Sequence, residues 1–205
     1  MARAAYRAAL VFAGATVLLL GALHLLSPEF APSWRMVSEY ANGEYQWVLT
    51  AMFFAWGAAS LALAGALRQR LQTRGGKIGW WLLIVAGICQ ILAGIFAINH
   101  PLHDVVGNIG IPSFAIAAVL ISRSLRQRVG LSYAAAACVV LLVVSFVILM
   151  TTYVQSGGNL DAGNKITALP DGVIALVGYA NRLLIVVYAL WAGAIAYSAL
   201  HLKSK

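Results

Sequence analysis

Six long apolar runs constrain this chain more than any other feature. They cover about 8–26, 47–67, 78–98, 105–122, 132–153 and 172–200, and each is bounded by charged or turn-forming residues. A transmembrane helix needs about 20 mostly apolar residues to cross a hydrocarbon core of roughly 30 Å. A soluble core would have to hide a chain that is 62% hydrophobic and only 10% charged, whereas soluble domains carry about 25% charged residues. Inside a bilayer every backbone N–H and C=O needs an internal partner, so only helices or closed barrels span it. Runs of this length select helices. The expected fold is all-α: a polytopic integral membrane protein, one six-helix bundle forming a single membrane domain over 1–205. The first run follows Arg3 and Arg7 and resembles a signal peptide at its start. It is long, however, and no small-x-small site follows at Leu25-Leu26-Ser27, so it reads as a retained helix.

The charges between the runs give an orientation. With six spans, Arg3, Arg7, Arg68, Arg70, Arg74, Lys77, Arg123, Arg126, Arg128, Lys203 and Lys205 fall on one side. Arg35 and Lys165 fall on the other, with Arg182 inside the last run. All six acids, Glu29, Glu39, Glu44, Asp104, Asp161 and Asp171, lie in or next to the opposite connectors. Cytoplasmic loops carry the excess of Lys and Arg, which predicts both termini inside (N-in/C-in) and a multi-pass protein of the inner (plasma) membrane. The net charge of +8 is then a topology signal that meets anionic headgroups. It excludes nucleic acid as the expected partner, because no basic domain stands apart from the helices. Cys89 and Cys138 both fall inside apolar runs at different distances from the helix ends, so each is expected as a small buried apolar residue and not as half of a disulfide.

Polar residues inside or beside the runs are the candidate functional groups. Arg182 is the most informative. Asp171 to Arg182 spans roughly 16 Å of helix if helical throughout, and a charge at that depth costs at least about 2.5 kcal/mol and normally faces the protein interior with a partner. Asp171, Ala175, Gly178 and Arg182 recur at spacings of three and four and would share one face. Glu39 or Asp104 is the expected counter-ion. A guanidinium there suits a phosphate or carboxylate, with the alternative that Arg182 only pins helix six to the bundle.

The island Asn99-His100-Pro101-Leu102-His103-Asp104 joins the third and fourth runs. His100, His103 and Asp104 are spaced so that one ion is within reach of all three, with His24 or Glu39 completing the set. A catalytic zinc site needs about three such ligands and an open position, although no spacing here matches a strong metal signature. A polar interfacial loop is the competing explanation. Ser38 reads as the N-cap of helix two with Glu39 in its first turn. If that helix is continuous from Ser38, then Glu39, Asn42, Gln46 and Thr50 form one polar stripe that continues as Phe53, Gly57, Ser60 and Ala64. Gly87, Gln90 and Gly94 share a face of helix three, where small residues let helices approach closely and Gln90 makes an interhelical hydrogen bond. Pro112 should kink helix four or mark its start.

Ser38-Glu39-Tyr40-Ala41-Asn42-Gly43, the polar turn before the fourth run, and Gly178-Tyr179-Ala180-Asn181-Arg182 together resemble the bacterial and archaeal membrane family called domain of unknown function 998, over nearly the full length. The family's Ser-acid…Gly turn entering helix two is matched by Ser38, Glu39 and Gly43, and its Gly…Arg turn in helix six by Gly178 and Arg182. Many members also have a His a few residues into helix four; here that region reads Gly107-Asn-Ile-Gly-Ile-Pro112. The resemblance implies the six-span fold and no particular activity.

The functional expectation is a pocket on the extracytoplasmic side that binds or transports a lipid headgroup or small anion. Arg182, Glu39, Asp104, Asp171 and His24 are its candidate ligand-binding residues, and membrane lipid is the expected partner. Two alternatives stand beside it: a metal-dependent hydrolase acting on lipid, with zinc held by His100, His103 and Asp104 and Glu39 as general base, and a structural or partner-binding subunit.

Overall fold

The computed structural model describes residues 2–159, 166 and 168–201. Lys203, Lys205, Asp161 and Lys165 lie outside the described residues. Among the described residues there are six long helices and no strand. They are α1 (Ala2–Leu26), α2 (Gln46–Leu67), α3 (Arg74–Ile95), α4 (Leu102–Leu125), α5 (Val129–Gln155) and α6 (Val177–His201). All six are long and apolar enough to cross a membrane.

Each helix packs on its neighbours in the chain, and α6 returns to α1, so the bundle closes into a ring with α2 touching α6 across it. Lipid tails are as apolar as the helix surfaces, so close packing and hydrogen bonds hold such a bundle, not hydrophobic burial. The sequence's small-residue faces are where this happens. A Cβ added at Gly57 of α2 would sit 2.7 Å from the carbonyl oxygen of Gly87, and one at Gly87 would meet Leu61 at 2.9 Å. Gln90 then joins the same two helices: with its amide oxygen toward Trp56 Nε1 (3.2 Å), its nitrogen donates to Ser60 Oγ at 2.7 Å and Trp56 O at 3.3 Å. A buried aromatic core links α4 to α6, where Phe114 and Tyr188 stack at 4.2 Å and Trp191 donates to Ser122 Oγ at 2.8 Å. Cys89 and Cys138 are free and buried, as the sequence suggests.

Three details depart from the sequence-based expectation. Helix two does not run from Ser38. A short 3₁₀ helix, Val37–Asn42, is followed by an extended Gly43, and α2 starts only at Gln46. Ser38 therefore lies inside the 3₁₀ helix and caps nothing, and the polar stripe is broken between Asn42 and Gln46. Helix six starts at Val177 and not at residue 172, because Gly172 takes the left-handed conformation (φ +88°) and the backbone stays irregular to Leu176. Pro112 lies inside α4 (Leu102–Leu125), so of the two expectations for it the one that it marks the helix start does not hold.

Candidate functional site

The chain between α1 and α2 does not pass over the end of the bundle as a loose connector. It folds down onto the first two turns of α6, and the sequence Gly178-Tyr-Ala-Asn-Arg182 forms the strip that receives it. Gly178 makes the closest approach. Its N–H donates to Ser33 O at 2.9 Å, and a Cβ at Gly178 would sit 2.4 Å from Pro32 O and 2.7 Å from Arg35 O. One turn on, Asn181 Oδ1 accepts from Val37 N at 2.8 Å.

Arg182 completes the strip. Its Nε donates to His24 Nε2 at 2.6 Å, one terminal nitrogen donates to Arg35 O at 2.6 Å and Gly178 O at 3.0 Å, and the other donates to Tyr40 Oη at 3.1 Å. The side chain is 8% exposed. Every nitrogen of the guanidinium thus meets a neutral acceptor, and four of its five N–H groups are distributed over three elements of the chain. His24 fits this only as the neutral tautomer protonated on Nδ1, which donates to Leu20 O at 2.7 Å and leaves Nε2 free to accept. His24 and Arg182 are therefore brought together, as the sequence suggests. The expected counter-ions are not. Glu39 pairs with Arg35 at 2.5 Å and accepts from Met36 N at 2.8 Å. Arg35 also donates to Ile166 O and lies 3.9 Å over the Trp34 ring. Asp171 is exposed in a turn ahead of α6, so the helical stack from Asp171 to Arg182 does not form. Asp104 is exposed in the first turn of α4.

His100, His103 and Asp104 do not converge as a metal site. Among the described residues no three His, Cys, Asp or Glu side chains are grouped to hold an ion. The His100 ring stacks on Phe96 at 4.7 Å and its Nδ1 accepts from Leu102 N at 3.1 Å. The His103 ring turns the other way, with Nδ1 on Phe96 O at 2.6 Å. Each histidine thus uses one ring nitrogen to shape the turn into α4.

Beside the docked segment lies a cavity of about 200 Å³, bounded by α2, α3, α4, α6 and the 3₁₀ helix. Phe53, Trp56, Leu184, Ile185 and Tyr188 make its apolar wall. At its polar side stand Ser38, His103, Asp104 and Asn108. Ser38 Oγ, the Asp104 carboxylate and the Asn108 amide have no hydrogen-bond partner among the described residues, and neither does His103 Nε2. A second cavity of about 250 Å³, lined by Glu39, Arg35, Tyr153 and Leu169, lies toward α5, and Met36 and Ile98 line both spaces.

The sequence does not mark Tyr40 or the carbonyl of Arg35 as partners of Arg182, nor Asn181 as the acceptor for Val37 N. Two adjacent polar residues interrupting an apolar run, Asn181-Arg182, were the available signal for the strip. A backbone acceptor leaves no trace in a sequence.

Six helices long and apolar enough to cross a membrane, with the segment between α1 and α2 hydrogen-bonded onto α6, define a multi-pass integral membrane protein. The chain belongs to the family described as Protein of unknown function (DUF998), whose model matches residues 8–198. No curated protein and no solved structure matches it.

Proposed function

We propose that this protein binds a membrane lipid in the cavity between α2, α3, α4 and α6, with both termini on the cytoplasmic side of the inner (plasma) membrane. The observation that carries this is the composition of the cavity. Ligand sites are concave and largely apolar with a few convergent polar groups, and here an aromatic wall ends at Ser38, His103, Asp104 and Asn108, where Ser38 Oγ, the Asp104 carboxylate, the Asn108 amide and the His103 nitrogen not engaged by Phe96 O have no partner among the described residues. A headgroup would hydrogen-bond at that rim while its apolar portion lies against Phe53 and Trp56. Arg182 serves the site indirectly, by holding the 3₁₀ helix that forms one wall. The charge asymmetry of the connectors supports this orientation, in which the rim would face the extracytoplasmic side.

The test is to fill the cavity without disturbing the bundle. Gly107 lines the cavity, and a Cβ there meets nothing within 4 Å. Gly107→Leu should reduce co-purified lipid, counted by native mass spectrometry, and should reduce quenching of Trp56 fluorescence by bromine-labelled lipid, with Trp56→Phe defining the Trp56 contribution. Its melting temperature in delipidated detergent should equal that of the parent. Unchanged lipid occupancy in Gly107→Leu would refute the proposal.

A further inference from the structure

The opposite end of the bundle carries a third, unrelated recess of about 210 Å³ between the end of α2 and the start of α3, lined by Arg68, Leu71, Gln72, Lys77, Trp80 and Trp81. We propose that it is a binding site for the phosphate-bearing headgroup of an anionic phospholipid.

The charge balance is the first argument. The side chains of Arg68 and Lys77 make no hydrogen bond or ion pair among the described residues, where the one ion pair joins Arg35 and Glu39 at the far end. The sequence has no acid at all between Glu44 and Asp104. The counter-charge for this recess must come from outside the α2–α3 hairpin. The second argument is the architecture of the walls. Trp80 is not a mobile interfacial ring: its Nε1 donates to Ala64 O at 2.8 Å, which fixes it across the α2–α3 joint. Trp81 packs on it edge to face at 4.7 Å. Trp81 is nonetheless 62% exposed and Ile78 56% exposed. Both belong to the hydrophobic helix α3, so their exposed surface is suited to acyl chains. The recess therefore brings together two exposed cations without a side-chain partner among the described residues, a neutral amide, and the apolar rings of Trp80 and Trp81. A phosphodiester with attached acyl chains matches both parts; a free phosphate matches only the first. Tryptophan concentrates at the headgroup level of membranes, and basic recesses between helices on the cytoplasmic side hold anionic headgroups.

Purified protein in neutral detergent is titrated with brominated phosphatidylglycerol and, separately, brominated phosphatidylcholine, and tryptophan fluorescence is followed. The anionic lipid should quench at lower concentration, and Trp81→Phe should remove much of that component. Arg68→Gln and Lys77→Gln should each weaken phosphatidylglycerol binding about fivefold and leave phosphatidylcholine unchanged. Arg74→Gln and Arg123→Gln, on the same basic end but not lining the recess, should leave the preference intact. The proposal is overturned if the two lipids quench equally. It is equally overturned if Arg74→Gln or Arg123→Gln weakens binding as much as Arg68→Gln, which would mean diffuse surface charge. Displacement of the brominated lipid by millimolar inorganic phosphate alone would assign the recess to a free anion and also overturn it.

Discussion

Arg182 and Arg68 are the same side chain in two opposed situations. Arg182 is buried at one end of the bundle and meets an imidazole, a phenol and two backbone carbonyls. Arg68 stands exposed at the other end with no partner among the described residues. One charge has its hydrogen bonds completed by the chain's own neutral groups, and the other leaves its donors to the surroundings. The difference shows why depth and charge alone do not mark an anion site. A guanidinium becomes a ligand contact only when the fold leaves its N–H groups unused. It also separates two kinds of cost. A buried charge without a carboxylate is tolerable where several aligned dipoles solvate it, and an exposed charge is cheap but open to lipid.

Several substitutions can break this contrast. The largest effect is expected from Arg182→Leu, which strands His24 Nε2, Arg35 O and Tyr40 Oη; the loss should be on the order of 3 kcal/mol, read as a drop in melting temperature in detergent. Arg68→Gln should leave that temperature unchanged. A comparable loss in both would end the distinction. Gly178→Val comes next. Its Cβ would meet Pro32 O at 2.4 Å, so the segment must lift or α6 must shift, at about 1–3 kcal/mol. Limited proteolysis between residues 28 and 45 should accelerate in that variant. His24→Phe should cost about 1–2 kcal/mol because Arg182 Nε loses its acceptor, and His24→Gln should recover part of it by supplying an amide oxygen. Equal melting temperatures for the two His24 variants would show that ring packing matters and the hydrogen bond does not. The smallest effect is expected from Glu39→Gln. This removes the charge of a largely buried pair, its side chains 13% and 12% exposed, while keeping an oxygen for Met36 N, and chemical denaturation should register a loss of about 1 kcal/mol.

The spans were legible because hydrophobic length is a strong and redundant signal. The α2–α3 contact was legible too, since Gly57, Ser60, Gly87 and Gln90 declare it by spacing. What the sequence hid follows from the kinds of partner involved. Glu39 and Asp104 are the charges that a sequence offers to Arg182, yet carbonyls and a neutral histidine took their place. The break between Asn42 and Gln46 was hidden for a similar reason. A 3₁₀ helix followed by an extended glycine uses the same residues that would otherwise continue a helical stripe. Local sequence is not decisive even when repeated. Leu67-Arg-Gln-Arg70 and Leu125-Arg-Gln-Arg128 are identical, but Arg68 keeps the right-handed helical conformation (φ −46°), whereas Arg126 and Arg128 both turn left-handed (φ 53° and 54°). The second turn closes α4 by Gln127 N donating to Ser122 O at 3.0 Å and sends Arg128 to Ser198 Oγ at 2.9 Å.

The socket of Arg182 also has an order in time. His24, Arg35 and Tyr40 precede the arginine by 158, 147 and 142 residues. At about 5–20 residues per second a ribosome completes these acceptors roughly 7–30 seconds before Arg182 is made. The most expensive residue to insert is thus synthesised last among its partners. A nascent chain released before helix six would carry the connector with no strip to receive it, recognisable to membrane quality control as an unfinished product.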